Sequence, residues 1–309
     1  MLRIVALLLG LGSVATPVQA ERVRVASYNV RNYLVTDRQV DGEWRFAYPK
    51  PAVEVAALQR VILEVRPDVL ALQEIGPAYL RELQRDLAAQ GLDYPYTFQL
   101  VADDEDRCLA VLARVPVVEA RLHRDLRFRY FEGEIPVKRG LLEVEFLVRG
   151  VSWHLFTFHL KSRLTEDARD PDSVLRRGGE AEAVATLLRE RWPEGQGRFI
   201  LLGDANDDYR SPALEHLRGP ALAPLAQPIP ARDSRGEVWT YFSNWADRYE
   251  RIDYALLSAR LQPHLVTPDA RLFDGPDSML ASDHRLLFLD LQFPEPSVAL
   301  EKETILTDQ

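Results

Sequence analysis

"FILLGDANDD", residues 199–208, decides how the rest of the chain is read. Four apolar residues run into a glycine, then into Asp204, Asn206, Asp207 and Asp208. A short apolar run closed by glycine reads as a buried strand. Polarity at its mouth has an ordinary explanation, because Asp-x-Asn after glycine commonly bonds its own backbone in a turn. It also resembles a calcium loop in composition, but the central glycine and distant glutamate of an EF-hand are missing. Asp207 and Asp208 are expected to be solvated turn residues or to stand behind Asp204 and Asn206.

Other strands end in the same vocabulary. "RVRVASYNV" (22–30) alternates polar and apolar residues and delivers Asn29; "PDVLALQEI" (67–75) is a buried run delivering Gln73-Glu74. "SWHLFTFHL" (152–160) delivers His159, with Lys161 and Arg163 just beyond. "ERIDYALLS" (250–258) carries Asp253 at its start, and "ASDHRLLFLDL" (281–291) places Asp283-His284 before a final strand. Each alone is weak, but the same oxygen ligands and histidines recur at six strand boundaries. Oxygen ligands suit a hard cation such as magnesium, manganese or calcium. Histidines beside carboxylates suit proton transfer near neutral pH.

Helical spacing appears at 51–65 with a proline at its start, and at 78–91 closed by Gly91. A longer amphipathic helix is expected over 172–192, weakened by Gly178-Gly179. "LAVLAR" (109–114), "LLEVEFLV" (141–148), "VWTYFS" (238–243) and "LLFLDLQF" (286–293) read as further strands. Strands outnumber helices and do not alternate regularly with them. The α/β class expected is two packed sheets flanked by helices. Residues 34–51 are expected to be a long loop holding Trp44, Phe46 and Tyr48.

The ends of the chain read differently. Met1-Leu2-Arg3, an apolar stretch and Val18-Gln19-Ala20 form a secretory signal over 1–20, too short in its apolar part to span a bilayer. One domain is expected over 21–293, followed by a polar tail over 294–309. The protein is expected outside the cytosol, periplasmic or secreted, with no further membrane-spanning segment. With one cysteine among 309 residues no internal disulfide is available, and Cys108 in "CLAVLA" is expected to be a buried thiol. A net charge of −9 argues against sequence-independent coating of nucleic acid.

Taken in order, "SYNVRNY", "PDVLALQEI", "FTFHLKSR", "LLGDANDD", "RIDYALL" and "SDHRLL" resemble the successive motifs of the endonuclease/exonuclease/phosphatase superfamily. That group includes DNase I-like nucleases, abasic-site endonucleases, neutral sphingomyelinases and inositol polyphosphate 5-phosphatases. The resemblance implies a DNase I-like four-layered α/β sandwich, with two mixed β-sheets packed between helices and the site at one end. It implies Glu74 as the principal ligand of a divalent metal, Mg2+ or Mn2+ with Ca2+ as an alternative, and Asn29 beside it. His159 matches the histidine that contacts the scissile phosphate and assists the leaving group. Asp204 and Asn206 match the pair that positions or activates water. Asp283 would orient His284, and Asp253 matches a carboxylate of the same network.

Arg139 and Lys161 are the candidate substrate contacts. Arg121, Arg124, Arg127 and Arg129 are expected to form a solvated face. The function implied is an exported, metal-dependent phosphoesterase, with a nuclease ahead and a nucleic acid among its candidate partners; no stable protein partner is expected. A phospholipid or sphingomyelin phosphodiesterase and a small-molecule phosphatase are the alternatives, the former wanting an exposed hydrophobic hairpin. An inactive binding module of the same fold would lack some of these positions, and all eight are present.

Overall fold

The computed structural model describes residues 21–294; the expected leader and the tail from 295 onward lie outside them. In chain order the elements begin with β1 Glu21–Tyr33, β2 Thr36–Val40, β3 Glu43–Tyr48, α1 Ala52–Val65, β4 Val69–Ile75 and α2 Pro77–Ala89. They continue with β5 Tyr96–Leu100, β6 Cys108–Ala113, β7 Val117–His123, β8 Arg127–Tyr130, β9 Gly133–Pro136, β10 Leu141–Val148 and β11 Val151–His159. Next come α3 Val174–Arg191, β12 Phe199–Asp204, α4 Pro212–Arg218, β13 Gln227–Pro228, β14 Ala231–Arg232, β15 Tyr241–Ser243 and β16 Arg248–Glu250. The last are β17 Asp253–Leu257, β18 Ala270–Leu272, α5 Ser278–Ala281 and β19 Leu287–Phe293.

One mixed sheet has the order β14-β18-β19-β1-β4-β6-β5, the other β13-β17-β12-β11-β10-β7. β1 and β4 are parallel, as are β11 and β12, while β1 and β19 run antiparallel. Strand alternation assigns the layers. Val25, Val69, Ala71 and Val111 of the first sheet pack against Val144, Leu155, Ile200 and Leu202 of the second. The intervening residues Ala26, Leu70, Leu72 and Leu112 turn outward to α1 and α2. On the second sheet Phe156, Phe158 and Leu201 turn outward to α3 and α4. The order helix, sheet, sheet, helix is the four-layered DNase I-like sandwich expected. Trp153 stacks on Phe146 of its own sheet at 4.7 Å and on Phe293 of the other at 5.9 Å, joining the two.

Two expectations need correcting. Residues 34–51 form a hairpin, β2–β3, and not a loop. Asp41 and Gly42, with φ of 52° and 80°, make the two-residue turn that such a pair favours. Trp44 and Phe46, two residues apart on one strand, are 59% and 75% exposed. The hairpin thought to be missing for a lipid-active enzyme is therefore present. Asp207 is also not a solvated residue: it is buried, and its Oδ2 accepts from Nε of the buried Arg177 at 2.9 Å. The helix expected over 172–192 is α3, and it runs through Gly178 and Gly179. A Cβ on Gly179 would lie 2.2 Å from the Phe128 ring, so β8 comes close only because that side chain is absent.

Cys108 is buried as expected, and burial pushes its thiol up to about 12. Among the described residues no helix is long and apolar enough to cross a membrane. On the helix-covered face of β10, the buried Glu143 accepts from Arg121 at 3.0 Å and meets His123 Nε2 at 2.8 Å and His154 Nδ1 at 2.9 Å. Burial would raise its pKa, but the bonds from both histidines and the charge of Arg191 outweigh it and hold it near 2. A folded-state pKa below the unfolded one stabilises above the ordinary glutamate value, and the gain disappears as pH falls toward 2. Glu143→Gln is expected to lose about 2 kcal/mol at pH 7. Urea denaturation at pH 7, 4 and 2.5 should show that deficit closing as the acid limb is reached.

Candidate active site

The apolar space between the sheets turns polar at one end by simple continuation of the alternation. Past Val25 come Ser27 and Asn29; past Ala71 comes Gln73; past Leu155 come Thr157 and His159; past Leu202 comes Asp204. Gln73 donates to Ser27 Oγ at 3.2 Å and to Thr157 Oγ1 at 3.0 Å, a buried polar layer joining the sheets beneath the site. Above it lies a cleft of about 920 Å³ whose wall includes Glu74, His159, Asp204, Asn206, Asp283 and His284. Asn29 and Asp253 are buried and reach this group through hydrogen bonds.

Asp204 is the hub. Its Oδ2 accepts from Asn29 Nδ2 at 3.0 Å, and its Oδ1 accepts from the Asn206 backbone at 2.7 Å. His159 Nε2 stands 3.6 Å from Asp204 and 3.8 Å from Glu74; His284 Nε2 stands 3.8 Å from Asp204. The parallel pairing of β11 and β12 sets His159 directly opposite Asp204, and the antiparallel β17 sets Asp253 on its other side. Glu74 arrives differently. It has φ of 63° at a pairing irregularity of β4, which turns its carboxylate to accept from Asn29 Nδ2 and the Asn32 backbone. Ser282 fastens the last motif to the first, donating to the Asn29 carbonyl at 2.8 Å and accepting from His284 N at 3.1 Å.

His284 is oriented by Asp253, not by Asp283 as the sequence suggested: Nδ1 lies 2.8 Å from Asp253 Oδ2. Asp283 stands at a bend ahead of the last strand and is not the ring's partner. It faces Arg31 Nε instead, at 3.4 Å. Asp253 in turn is held by Thr240, whose buried hydroxyl accepts from the Ile252 and Asp253 backbones at 3.0 Å each.

The two histidines are driven apart. Burial would lower His284, but the charges of Asp253 and Asp204 outweigh it and push it up to about 10. Burial and the charges of Arg139 and His284 push His159 well below its usual value. One is an imidazolium at neutral pH and the other a neutral imidazole, the division of labour that acid and base roles require. Burial, then the charge of Asp253, raises Asp204. Burial and the charge of Glu74 raise Asp283, so the carboxylates repel one another across the cleft.

Two donor sets compete for a cation. Ligand atoms of Asp204, Asp253 and His284, all buried, lie within 4.8 Å of one another. There the Asp253–His284 hydrogen bond already uses Oδ2 and Nδ1. Glu74, Asp283 and the Asn29 amide oxygen are a second set of oxygens on the same side, with Asn29 Oδ1 accepting from the Arg31 backbone and Asp283 facing the Arg31 guanidinium; oxygen donors fit a hard divalent ion. Arg139 and Lys161 also line the cleft, but as buried residues, 5% and 3% exposed. Arg139 meets Asp104 Oδ2 at 3.0 Å, while its Nε and Nη1 have no hydrogen-bond partner. Arg121, Arg124, Arg127 and Arg129 are not on the wall. Sequence reasoning missed Arg107, which donates to Asn32 at 2.8 Å, and Tyr241, whose ring lies 4.8 Å from that of His284. Nothing in their local sequence marks them.

Residues 26–284 match the family model described as endonuclease/exonuclease/phosphatase family. No curated protein matches the sequence. The human nocturnin catalytic domain, solved with a bound sulfate anion, is similar at a TM-score of 0.60 and 17% identity, over 89% of this chain and 98% of that one. Sphingomyelinase C from Streptomyces griseocarneus gives 0.59 and 16%, over 88% and 99%. A family protein from Bacteroides thetaiotaomicron gives 0.56 and 17%, over 90% and 100%. At these identities the solved structures bear on the fold, and the matched span carries the assignment: this chain belongs to the endonuclease/exonuclease/phosphatase family.

Proposed function

We propose that the protein is an exported, divalent-cation-dependent phosphodiesterase, with nucleic acid its leading substrate. The observation that carries this is the convergence of Glu74, Asp204 and Asp283 with one charged and one neutral histidine in a cleft rimmed by arginine and lysine. Glu74, Asp283 and Asn29 would hold the cation, which when bound supplies charge stabilisation on the phosphate oxygens. His284, kept cationic by Asp253, adds positive charge on the side where a non-bridging oxygen gathers it. Asp204, fixed by Asn29 and Asn206, takes the proton of the attacking water. His159 faces the same carboxylate from the next strand and contacts the phosphate, while the leaving oxygen collects its proton from solvent water at the cleft mouth.

Nucleic acid is favoured by Trp245, 97% exposed on the β15–β16 turn and part of the cleft wall beside Arg248, where a base can stack. Export rests on the first twenty residues alone. A second reading, a phospholipid phosphodiesterase, is supported by the exposed Trp44 and Phe46 of the β2–β3 hairpin. That hairpin is tied to the motif at 29–32 by Arg38, which donates to the Asn32 carbonyl at 2.8 Å.

The experiment is hydrolysis by residues 21–309 of plasmid DNA, RNA, a chromogenic phosphodiester and sphingomyelin vesicles, with added magnesium or manganese and after chelation. Turnover is expected on DNA or RNA with metal and is lost, by about a hundredfold or more, on chelation. Faster turnover of sphingomyelin would transfer the assignment to the second reading. Metal-independent turnover, or none on any substrate by folded protein, would sink the proposal.

A further inference from the structure

Next to His159 the cleft wall carries Lys138, Lys161 and Glu166, with Arg176 behind them, a charge cluster to which the reaction above gives no step. Lys161 lies two residues beyond His159, Lys138 lies just before β10, and Arg176 is on the first turn of α3. All three converge on a single carboxylate. Glu166 Oε2 accepts from Arg176 Nη1 at 2.6 Å, and its Oε1 meets Lys138 Nζ in a very short contact and Lys161 Nζ at 3.8 Å. The cations are built in: side-chain exposures are 3% for Lys161, 11% for Arg176 and 20% for Lys138. Their frame is fixed by Glu180, fully buried in α3. Its two oxygens accept from the backbone nitrogens of Lys138 at 3.1 Å and Lys161 at 2.7 Å.

Glu166 is the opposite kind of residue. Its side chain is 50% exposed, and it stands on an irregular segment between His159 and α3, two residues from Leu164 at 80% exposure. Nor does it neutralise the cluster. Arg139, on the same wall, leaves Nε and Nη1 without acceptors, and Arg176 Nε also has none. Burial, helped by the crowding charges of Lys138, Arg139 and Arg176, lowers Lys161 to about 8 against the pull of Glu166. One buried lysine, its ammonium also bonded to Ser162 and Leu164, and two half-buried cations around one half-exposed anion form an anion site occupied by a member of the same chain.

We infer that Lys138, Lys161 and Arg176 form a second anion subsite beside the reaction centre, that Glu166 occupies it in the free protein, and that a second phosphate on the substrate displaces Glu166. This rests on the phosphodiesterase reading and narrows it to substrates carrying a further phosphate near the scissile one. Displacement exchanges one carboxylate for a group of higher charge and three acceptor oxygens, which suits the unsatisfied arginine nitrogens. Glu166 is thus a specificity residue: it discriminates against ligands too weakly charged to replace it.

The test has two arms. Inorganic phosphate is titrated calorimetrically into the wild type, Glu166→Gln, and Glu166→Gln with Lys138→Ala. Glutamine keeps the shape and removes the competing charge, so phosphate should bind about tenfold more tightly, and the added Lys138→Ala should reverse that gain. The second arm compares KM for a dinucleotide with and without a terminal phosphate. Glu166→Gln should widen the preference for the phosphorylated one about tenfold. Equal phosphate affinity in wild type and Glu166→Gln overturns the inference, as does a gain that survives Lys138→Ala. The calorimetric arm needs no turnover, so an inactive protein would count against the phosphodiesterase while the titration still decides the subsite.

Discussion

Asp204→Asn should lower kcat about a thousandfold on whichever phosphodiester the wild type hydrolyses best. KM should change much less, because the amide keeps an oxygen for the Asn206 backbone while losing the capacity to take a proton. Stability should hold or rise. A buried carboxylate flanked by Asp253 and Glu74 is raised in pKa, which means that its charge costs the fold energy. Loss of activity with an unchanged or higher Tm therefore separates a chemical defect from a structural one. His159→Ala should be comparably damaging, since its ring stands 3.6 Å from Asp204 across one strand pairing. The double variant should lose far less than the product of the two, as groups that act as a unit do. Activity of Asp204→Asn within tenfold of wild type would place the base elsewhere, and an active His159→Ala would remove that residue's role.

The second large effect lies one residue earlier. Gly203→Ala should destabilise the protein by about 3 kcal/mol or more. A Cβ there would sit 2.0 Å from the Phe158 carbonyl oxygen and 2.9 Å from its carbon. Those atoms belong to the central strand β11, buried from Trp153 onward, which has no free space there to move into. Tm should fall by roughly 6–12 °C in a scan. Activity should fall with it, because the displaced pair Phe158 and Gly203 is followed at once by His159 and Asp204. The same change at Gly178 is the control. There a Cβ meets only Pro212 at 3.9 Å inside a helix, and alanine should stabilise by roughly 0.5–1 kcal/mol. A Gly203→Ala protein as stable as wild type would mean that the two strands are not packed as described.

Much of this was visible in the sequence because alternation and chemistry coincide. The runs that supply Val25, Ala71, Leu155 and Leu202 to the inter-sheet core place Asn29, Gln73, His159 and Asp204 on the same faces further along. What was hidden is what depends on distant pairing. Asp253 orients His284 across a 31-residue separation, and nothing local distinguishes it from the adjacent Asp283. Glu74 lies out of phase with Gln73 and reaches the site only through its left-handed backbone. Asp207 looked like a turn acid because its partner Arg177 comes from the distant helix α3. The β2–β3 hairpin is a different case, since Asp41-Gly42 was a legible signal outweighed by the polar residues around it.

The place of β19 also bears on how the molecule comes into being. This strand lies between β18 and β1 and is the last element among the described residues, with Asp283 and His284 just ahead of it. The Ser282 bond to Asn29 therefore ties together residues 253 positions apart. During synthesis, every other described strand is made before the one that β1 needs on its open edge. A chain that stops short of residue 284 lacks the contact between Asp253 and His284, so the site closes only after all six motif-bearing segments have been made.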